Sequence, residues 1–182
     1  MKRLSVRTVV SVGITAALVF VLMRFARIPT GIPNTDFLPA YGLLAMMAAI
    51  FGPICGALGG LIGHMLTDAT TYGVWWSWVI ATGALGLLVG LFSKFYKAED
   101  GGFKLRQIII FNAVQIAANL ICWVGVAPVL DILMYGEPAD KVFVQGLAAG
   151  IGNTVNMMIL GTLLLFAYSK IKARSAGLKK ED

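Results

Sequence analysis

Apolar residues fill most of the chain in six runs, and short polar stretches separate these runs. The runs cover residues 8–26, 38–51, 53–68, 74–95, 106–128 and 143–169. A helix needs about 20 residues to cross the hydrocarbon core of a bilayer, and the first, fourth, fifth and sixth runs approach or exceed that length. The pattern predicts one all-α integral membrane domain over residues 1–182, built as a bundle of six transmembrane helices.

The second and third runs are shorter, and only Phe51, Gly52 and Pro53 join them. A single long helix would carry Gly52 and Pro53 in its middle, where proline interrupts the backbone hydrogen bonding. We therefore expect a tight hairpin of two short helices that pack against the rest of the bundle.

Composition supports a membrane protein. The chain is 58% hydrophobic and 13% charged, whereas soluble domains average about 45–50% apolar and about 25% charged residues. Cys55 and Cys122 both lie inside apolar runs and are interpreted as packing residues. The sequence indicates no metal site, disulfide framework or cofactor.

The positive charges predict the orientation of the chain in the membrane. Six crossings put twelve of the fifteen Lys and Arg residues on one side, and only Arg24, Arg27 and Lys141 on the other. Cytoplasmic loops are enriched in Lys and Arg, so both termini are predicted to be cytoplasmic. The net charge of +6 then reflects topology, and nucleic acid is not expected as a partner.

The three predicted outer connections are polar, and the first is a candidate lid. They read RIPTGIPNTDF (27–37), TDATTYG (67–73) and VLDILMYGEPADK (129–141). Two prolines stiffen the first connection, in which Thr30, Asn34 and Asp36 are candidate ligand contacts, and Asn34 and Asp36 also favour local turns. A stiff polar loop of this kind is suited to gate an outward-facing pocket.

Polar and aromatic side chains inside the apolar runs predict that pocket. Polar groups in lipid usually face the bundle interior or a cavity, amides hydrogen-bond a neutral heterocycle through donor and acceptor, and Trp supplies a flat apolar wall. The candidate ligand-binding side chains are His64, Trp75, Trp78, Gln115, Asn119, Trp123, Gln145, Asn153 and Asn156. Simpler roles stay open: the Trp residues are also typical of an interfacial belt, and His64 can bond structurally to Asp68, four residues later.

Small residues four apart mark faces where helices pack closely in lipid. Gly52, Gly56 and Gly60 of the third run are interpreted as packing within the bundle. In the first run Gly13 and Ala17, with Ala16 beside them, are either packing residues or a docking face for a partner membrane protein.

No energy source is apparent in the sequence. There is no Walker A motif, and we expect no buried Lys, Asp or Glu in the middle of a helix that would couple transport to an ion. There is also no nucleophile–base pair, so catalysis is not expected. A pocket without an energy source suggests a binding subunit that depends on partner proteins.

Five stretches carry a resemblance to a known family: RIPTGIPNT, AIFGPICGALGGLIGH, DATTYGVWWSWVI, ICWVGVAPVLDILMYGEPADKV and QGLAAGIGNTV. Over residues 8–170 the chain resembles the S components, or substrate-binding subunits, of energy-coupling factor (ECF) vitamin transporters, especially the riboflavin-type group and its uncharacterised relatives. The resemblance implies six helices, an outward-facing pocket, and docking of the first helix on a membrane scaffold (T) subunit. Two cytoplasmic ATPase subunits would complete the complex.

We therefore expect a substrate-capture subunit of an ECF-type importer in a bacterial plasma membrane. Its expected ligand is a small, neutral, ring-containing vitamin, with riboflavin as first choice because of the resemblance. A thiamine-type pyrimidine or a pyridoxine-type ring is the alternative ligand. A small membrane enzyme and a purely structural membrane protein are the alternatives from other functional classes.

Overall fold

This computed structural model describes residues 5–32 and 35–178. Within these residues the chain forms seven helices and one β-hairpin. The first five helices are α1 (Val6–Phe25), α2 (Ala40–Phe51), α3 (Pro53–Ala69), α4 (Trp76–Leu91) and the short α5 (Ser93–Tyr96). Helix α6 is continuous through Leu105–Asn119, a π-helical segment Leu120–Val126, and Ala127–Tyr135. Helix α7 is continuous through Ala139–Asn156, a π-helical segment Met157–Gly161, and Thr162–Leu178.

The predicted helical architecture is confirmed in its coarse form, because every apolar run forms a helix. Three helices are long and apolar enough to cross a membrane, namely Val6–Phe25, Leu105–Tyr135 and Ala139–Ala176. Helices α2 and α4 are apolar but shorter. Six crossings with both termini in the cytoplasm therefore stay a prediction.

The break between α2 and α3 lies where Gly52 and Pro53 predict it. Gly52 has a φ of +86°, a conformation that side chains other than that of glycine rarely adopt. Pro53 is the first residue of α3, a position at which its missing N–H costs no helical hydrogen bond. These two residues reverse the chain between two closely packed helices.

The predicted outer connection at 129–141 is wrong. Helix α6 continues to Tyr135 and α7 begins at Ala139, so only residues 136–138 connect them. The π-helical segment Leu120–Val126 lies directly before Pro128. Because a π-helical turn accommodates a local break in the α-helical bonding pattern, the helix continues through Pro128 and past the predicted end of the apolar run.

Glycines of α3 bring this helix into contact with α1 and α4. A methyl group on Gly59 would lie 2.6 Å from Thr15 Cγ2 of α1, and one on Gly56 would lie 2.2 Å from the carbonyl oxygen of Gly86 in α4. Both distances are below van der Waals contact. The interpretation of the α3 glycines as packing residues within the bundle is confirmed, as expected for close helix approach in lipid.

The stiff loop after α1 forms a two-stranded antiparallel hairpin. Strand β1 (Ile28–Ile32) pairs with β2 (Thr35–Phe37), and Ile28 lies opposite Phe37. The hairpin contacts α7, where Phe37 approaches Gly152. Thr30 belongs to β1, whereas Asn34 lies outside the described residues.

The two ends of the bundle differ in charge and in shape. The hairpin, the end of α3, the start of α4, the end of α6 and the start of α7 surround one end. The ends of α4 and α7 and the start of α6 lie at the opposite end, where most of the Lys and Arg residues are found. An ion pair between Arg7 and Glu99 brings the start of α1 to this cationic end.

Candidate functional site

A cavity of about 480 Å3 opens at the hairpin end of the bundle. Its wall combines side chains from the end of α1, the hairpin and helices α2, α3, α4, α6 and α7. Seven of the predicted ligand-binding residues line it, namely Asp36, His64, Trp75, Trp78, Trp123, Gln145 and Asn153. This volume is in the range typical of small-molecule sites.

Asp131 of α6 is a carboxylate of the cavity wall and is only 2% exposed. Asp68 is the other lining carboxylate that is buried this deeply. One oxygen of Asp131 accepts hydrogen bonds from Trp75 Nε1, at 2.6 Å, and from the Ser77 hydroxyl. The other accepts a hydrogen bond from Trp78 Nε1 at 2.7 Å. The carboxylate therefore fixes the start of α4 against the end of α6 and orients two indole rings.

Asp68 and His64 form a second polar cluster, which extends across α2, α3 and α4. His64 Nε2 lies 3.4 Å from Asp68 Oδ1, and His64 Nδ1 lies 2.6 Å from Thr82 Oγ1. Asp68 also accepts hydrogen bonds from the Tyr72 hydroxyl and from the backbone N–H of Trp75. The two residues that the spacing of four places together are thus in contact at 3.4 Å, and both also line the cavity.

Aromatic rings form one wall of the cavity. Trp78 and Trp123 are stacked, with ring centroids 5.6 Å apart and planes inclined by 24°. Tyr41 meets Trp123 edge-on at 5.2 Å. Trp76, in contrast, is 43% exposed, as expected for a residue of an interfacial belt.

The predicted amides divide into a lining group and a supporting group. Gln145 and Asn153 line the cavity. Gln115, Asn119 and Asn156 are buried but are not among the lining residues. The supporting amides bond to the protein itself: Asn119 Oδ1 accepts the Trp123 indole N–H at 2.9 Å, and Asn156 donates to the Leu38 carbonyl.

One lining amide has an unused acceptor. Asn153 is only 3% exposed, and its Oδ1 has no hydrogen-bond partner in the structure. An unpaired buried carbonyl oxygen is costly. The residue lines the cavity, but the Oδ1 atom itself is enclosed, so rotation of the amide would present it to a donor on a bound molecule.

Ion pairs flank the cavity at its rim. Arg27 Nη1 lies 3.4 Å from Asp36 Oδ2, which joins the end of α1 to the hairpin. Lys141 Nζ lies 2.5 Å from Glu137 Oε2 at the start of α7. Both pairs are partly exposed, so each contributes little to stability.

Asp131 is not among the residues that the sequence predicts for the site, and it lies near the end of α6 and not in the middle of a helix. It was missed because the fifth helix was predicted to end at residue 128. The available signal was spacing: Trp123, Ala127 and Asp131 are four residues apart and therefore share one helix face. Other lining residues that were missed are Arg27, Tyr41, Tyr72, Glu137 and Lys141.

The candidate docking residues of α1 lie in different surroundings. Gly13 and Ala17 are exposed, and a methyl group on Gly13 would meet nothing within 4 Å. Ala16 is only 5% exposed, and a methyl group on Gly63 would lie 2.8 Å from its carbonyl oxygen. Ala16 therefore packs against α3, and Gly13 and Ala17 form an outward-facing small-residue surface.

The described residues contain no group of three or more His, Cys, Asp or Glu side chains arranged to hold a metal ion. Cys55 and Cys122 are free thiols, and both are buried.

These features describe a helical membrane protein with a polar and aromatic ligand cavity at one end. The family described as "ECF-type riboflavin transporter, S component" matches residues 3–170 of the chain. The chain belongs to this family, whose members are transporter subunits and not enzymes.

Several relatives match over essentially the whole chain. A UPF0397 protein of Lacticaseibacillus casei (strain BL23) is 48% identical over 182 residues, which cover 100% of this chain and 98% of the relative. One from Lactobacillus helveticus (strain DPC 4571) is 50% identical over 98% of this chain and 97% of the relative. One from Exiguobacterium sp. (strain AT1b) is 49% identical over 100% of both chains.

Proposed function

We propose that this protein is the substrate-capture subunit of an ECF-type importer, which binds a small ring-containing vitamin or vitamin precursor outside the cell. The observation that carries the proposal is the cavity of about 480 Å3, with its stacked indole wall and an unpaired amide oxygen. Stacked indoles suit a flat ring, and buried polar groups suit its hydrogen-bonding edge.

The distribution of charge supports an outward-facing cavity. The cavity lies at the end of the bundle opposite the basic ends of α4, α6 and α7. Basic ends usually face the cytoplasm. In this orientation the protein is a multi-pass protein of the bacterial plasma membrane with six crossings and both termini inside.

The surface of α1 supports association with a membrane scaffold (T) subunit. Gly13 and Ala17 are exposed, and small residues at this spacing allow a second helix to approach closely. Two cytoplasmic ATPase subunits would bind the scaffold and supply the energy that this chain does not. Release of the ligand to the cytoplasm would follow from ATP-driven rearrangement of the whole complex.

Riboflavin is the ligand that the family description favours, and a thiamine-type pyrimidine or pyridoxine-type ring is the alternative. The experiment is native mass spectrometry of the protein purified in detergent, followed by thermal-shift measurements with these vitamins. We expect one small ring compound to co-purify or to raise the melting temperature. With riboflavin, the preparation would be yellow or would quench flavin fluorescence.

A matched pair of variants tests the location of the site. Ala149→Trp fills the cavity, because Ala149 is one of its lining residues. Ala117→Trp adds the same ring on the exposed surface of α6. Ligand binding should be lost only in the first variant.

A protein that retains no small molecule and responds to none of these vitamins would instead be a structural membrane protein.

A further inference from the structure

We propose that the cavity selects a ligand with one positive charge on or beside an aromatic ring, and that Asp131 is its counter-ion. This inference rests on the proposed capture function and specifies the substrate class of the same cavity. It departs from the expectation of a neutral ligand, which rested on the amides, the Trp residues and the resemblance to riboflavin-type S components.

The charges that line the cavity do not balance. Four carboxylates line it, on Asp36, Asp68, Asp131 and Glu137, against the cations Arg27 and Lys141 and one histidine. The cavity is therefore negative whether His64 is protonated or neutral. A positive ligand is attracted by this field, whereas an anionic ligand is repelled.

Three of the four carboxylates have a basic partner within the protein. Asp36 is paired with Arg27, Asp68 with His64, and Glu137 with Lys141. No Lys, Arg or His of the described residues lies within 4.0 Å of Asp131. Asp131 is therefore the one lining carboxylate that has no basic side chain beside it in the described part of the chain.

The surroundings of Asp131 explain how an unpaired charge can be kept there. Its three partners, the indole N–H groups of Trp75 and Trp78 and the hydroxyl of Ser77, are all donors. Three donors match the acceptor-only chemistry of a carboxylate, but they carry no compensating positive charge. A buried charge without an ionic partner is costly, and a cationic ligand in the cavity would lower that cost.

The aromatic wall favours the same kind of ligand. Trp faces attract cations, most strongly where water is excluded. Trp75 and Trp78 both line the cavity and both point their N–H groups at Asp131. A ligand ring that contacts these indoles is thereby close to the carboxylate.

Asn153 provides an independent observation. Its side chain lines the cavity, and its enclosed Oδ1 has no hydrogen-bond partner among the described residues, so rotation of the amide would turn an acceptor toward a ligand. A protonated amine or an amino-substituted ring nitrogen supplies N–H donors to such an oxygen. The lining charges and the buried carboxylate favour a positively charged ligand, and the amide acceptor favours one that carries N–H donors.

The test compares ligands that differ in charge on the unmodified, full-length protein in detergent at pH 7.5. Pyridoxamine and thiamine are the cationic probes, and pyridoxine and riboflavin are the neutral probes. Pyridoxamine and pyridoxine form a matched pair, because they differ in a single amine-for-hydroxyl replacement. We expect at least one cationic probe to bind at least tenfold more tightly than either neutral probe, as measured by calorimetry.

A variant then assigns the effect to one side chain. Asp131→Asn keeps the size of the side chain and removes its charge. Asn also replaces one of the two oxygens that accept the indole N–H groups, so binding of either probe can weaken, but affinity for the cationic probe should fall at least tenfold more than affinity for pyridoxine. If this variant does not fold, the comparison of probes on the unmodified protein decides alone.

Other outcomes overturn the inference in distinguishable ways. If riboflavin or pyridoxine binds as tightly as both cations, the charge assignment is wrong and the capture function stands. If another small molecule co-purifies, a positive charge at pH 7.5 supports the inference and a neutral or negative one overturns it. If no probe binds and nothing co-purifies, the capture function itself is wrong, and the inference is lost with it.

Discussion

Trp78 of α4 donates its indole N–H to Asp131 of α6 across 2.7 Å. The bond joins the aromatic wall of the cavity to its buried carboxylate, and it links two helices through residues that are 53 positions apart in the chain. Packing between α4 and α6 is therefore linked directly to the shape of the site.

We expect Trp78→Phe to destabilise the ligand-free protein by about 1.5–3 kcal/mol, the usual contribution of a hydrogen bond to a charged group. Trp76→Phe is the control, because the Trp76 ring is largely exposed. Thermal unfolding in the same detergent measures both variants. Equal melting temperatures for the two would show that the bond to Asp131 contributes no stability.

We expect Asn153→Leu to weaken ligand binding by about 1–3 kcal/mol, because a buried donor on the ligand would lose its acceptor. The ligand-free protein should keep its melting temperature, since Asn153 Oδ1 has no partner there. Asn156→Leu should do the reverse, because Asn156 is not a lining residue and donates a hydrogen bond to the Leu38 carbonyl. Titration with the co-purified molecule, together with unfolding curves, separates the two effects. Unchanged affinity in the Asn153 variant would place the ligand elsewhere.

The helices were predictable from the sequence, but some of their ends were not. Apolar runs specify helices in lipid, and Gly52 with Pro53 specified the break between α2 and α3. The sequence predicts an end of α6 at residue 128 that is too early, and Pro128, which normally disrupts a helix, lies inside α6. The π-helical segment before Pro128 allows the helix to continue. No residue pattern in the sequence predicts that segment.

The sequence predicts which helix faces contribute to the site, but it does not predict which residues of those faces reach the cavity. Helical periodicity shows which residues share a face, and it correctly groups Asn119 with Trp123, which are hydrogen-bonded. It does not show how far along that face a cavity extends. Asn119 lies behind the wall, whereas Asp131, two turns beyond Trp123, lies on it. Whether a residue of α6 lines the cavity depends on the long-range contacts between α4 and α6.

We expect Gly56→Ala to destabilise the protein by about 1–3 kcal/mol or to prevent its accumulation, as overpacking does. The added methyl group would lie 2.2 Å from the Gly86 carbonyl oxygen, so α3 and α4 would have to separate. Gly125→Ala is the control, because nothing lies within 4 Å of its added methyl group. Yield and melting temperature in detergent report both. A Gly56 variant as stable as the control would show that α3 and α4 separate at little cost.

We expect Gly13→Leu and Ala17→Leu to reduce co-purification of the scaffold subunit and uptake by cells, while the isolated protein still binds its ligand. Both residues face outward, and a large side chain would hold a partner helix away. Leu18→Trp is the control, since Leu18 is also exposed but lies on another part of the helix surface. Loss of ligand binding in the Gly13 or Ala17 variant would assign these residues to the core. Loss of the scaffold in the Leu18 variant would show that any bulky change on α1 blocks assembly.

The orientation of the bundle can be tested by thiol labelling, because both native cysteines are fully buried and should not react. Thr70→Cys places an exposed thiol at the cavity end, and Lys172→Cys places one at the basic end. We expect a membrane-impermeant maleimide to label the first variant in intact cells and the second only after the membrane is permeabilised, because basic ends face the cytoplasm. The reverse pattern would place the cavity on the cytoplasmic side and would exclude capture from outside. Labelling of both variants in intact cells would exclude an arrangement in which the two ends of the bundle lie on opposite sides of the membrane.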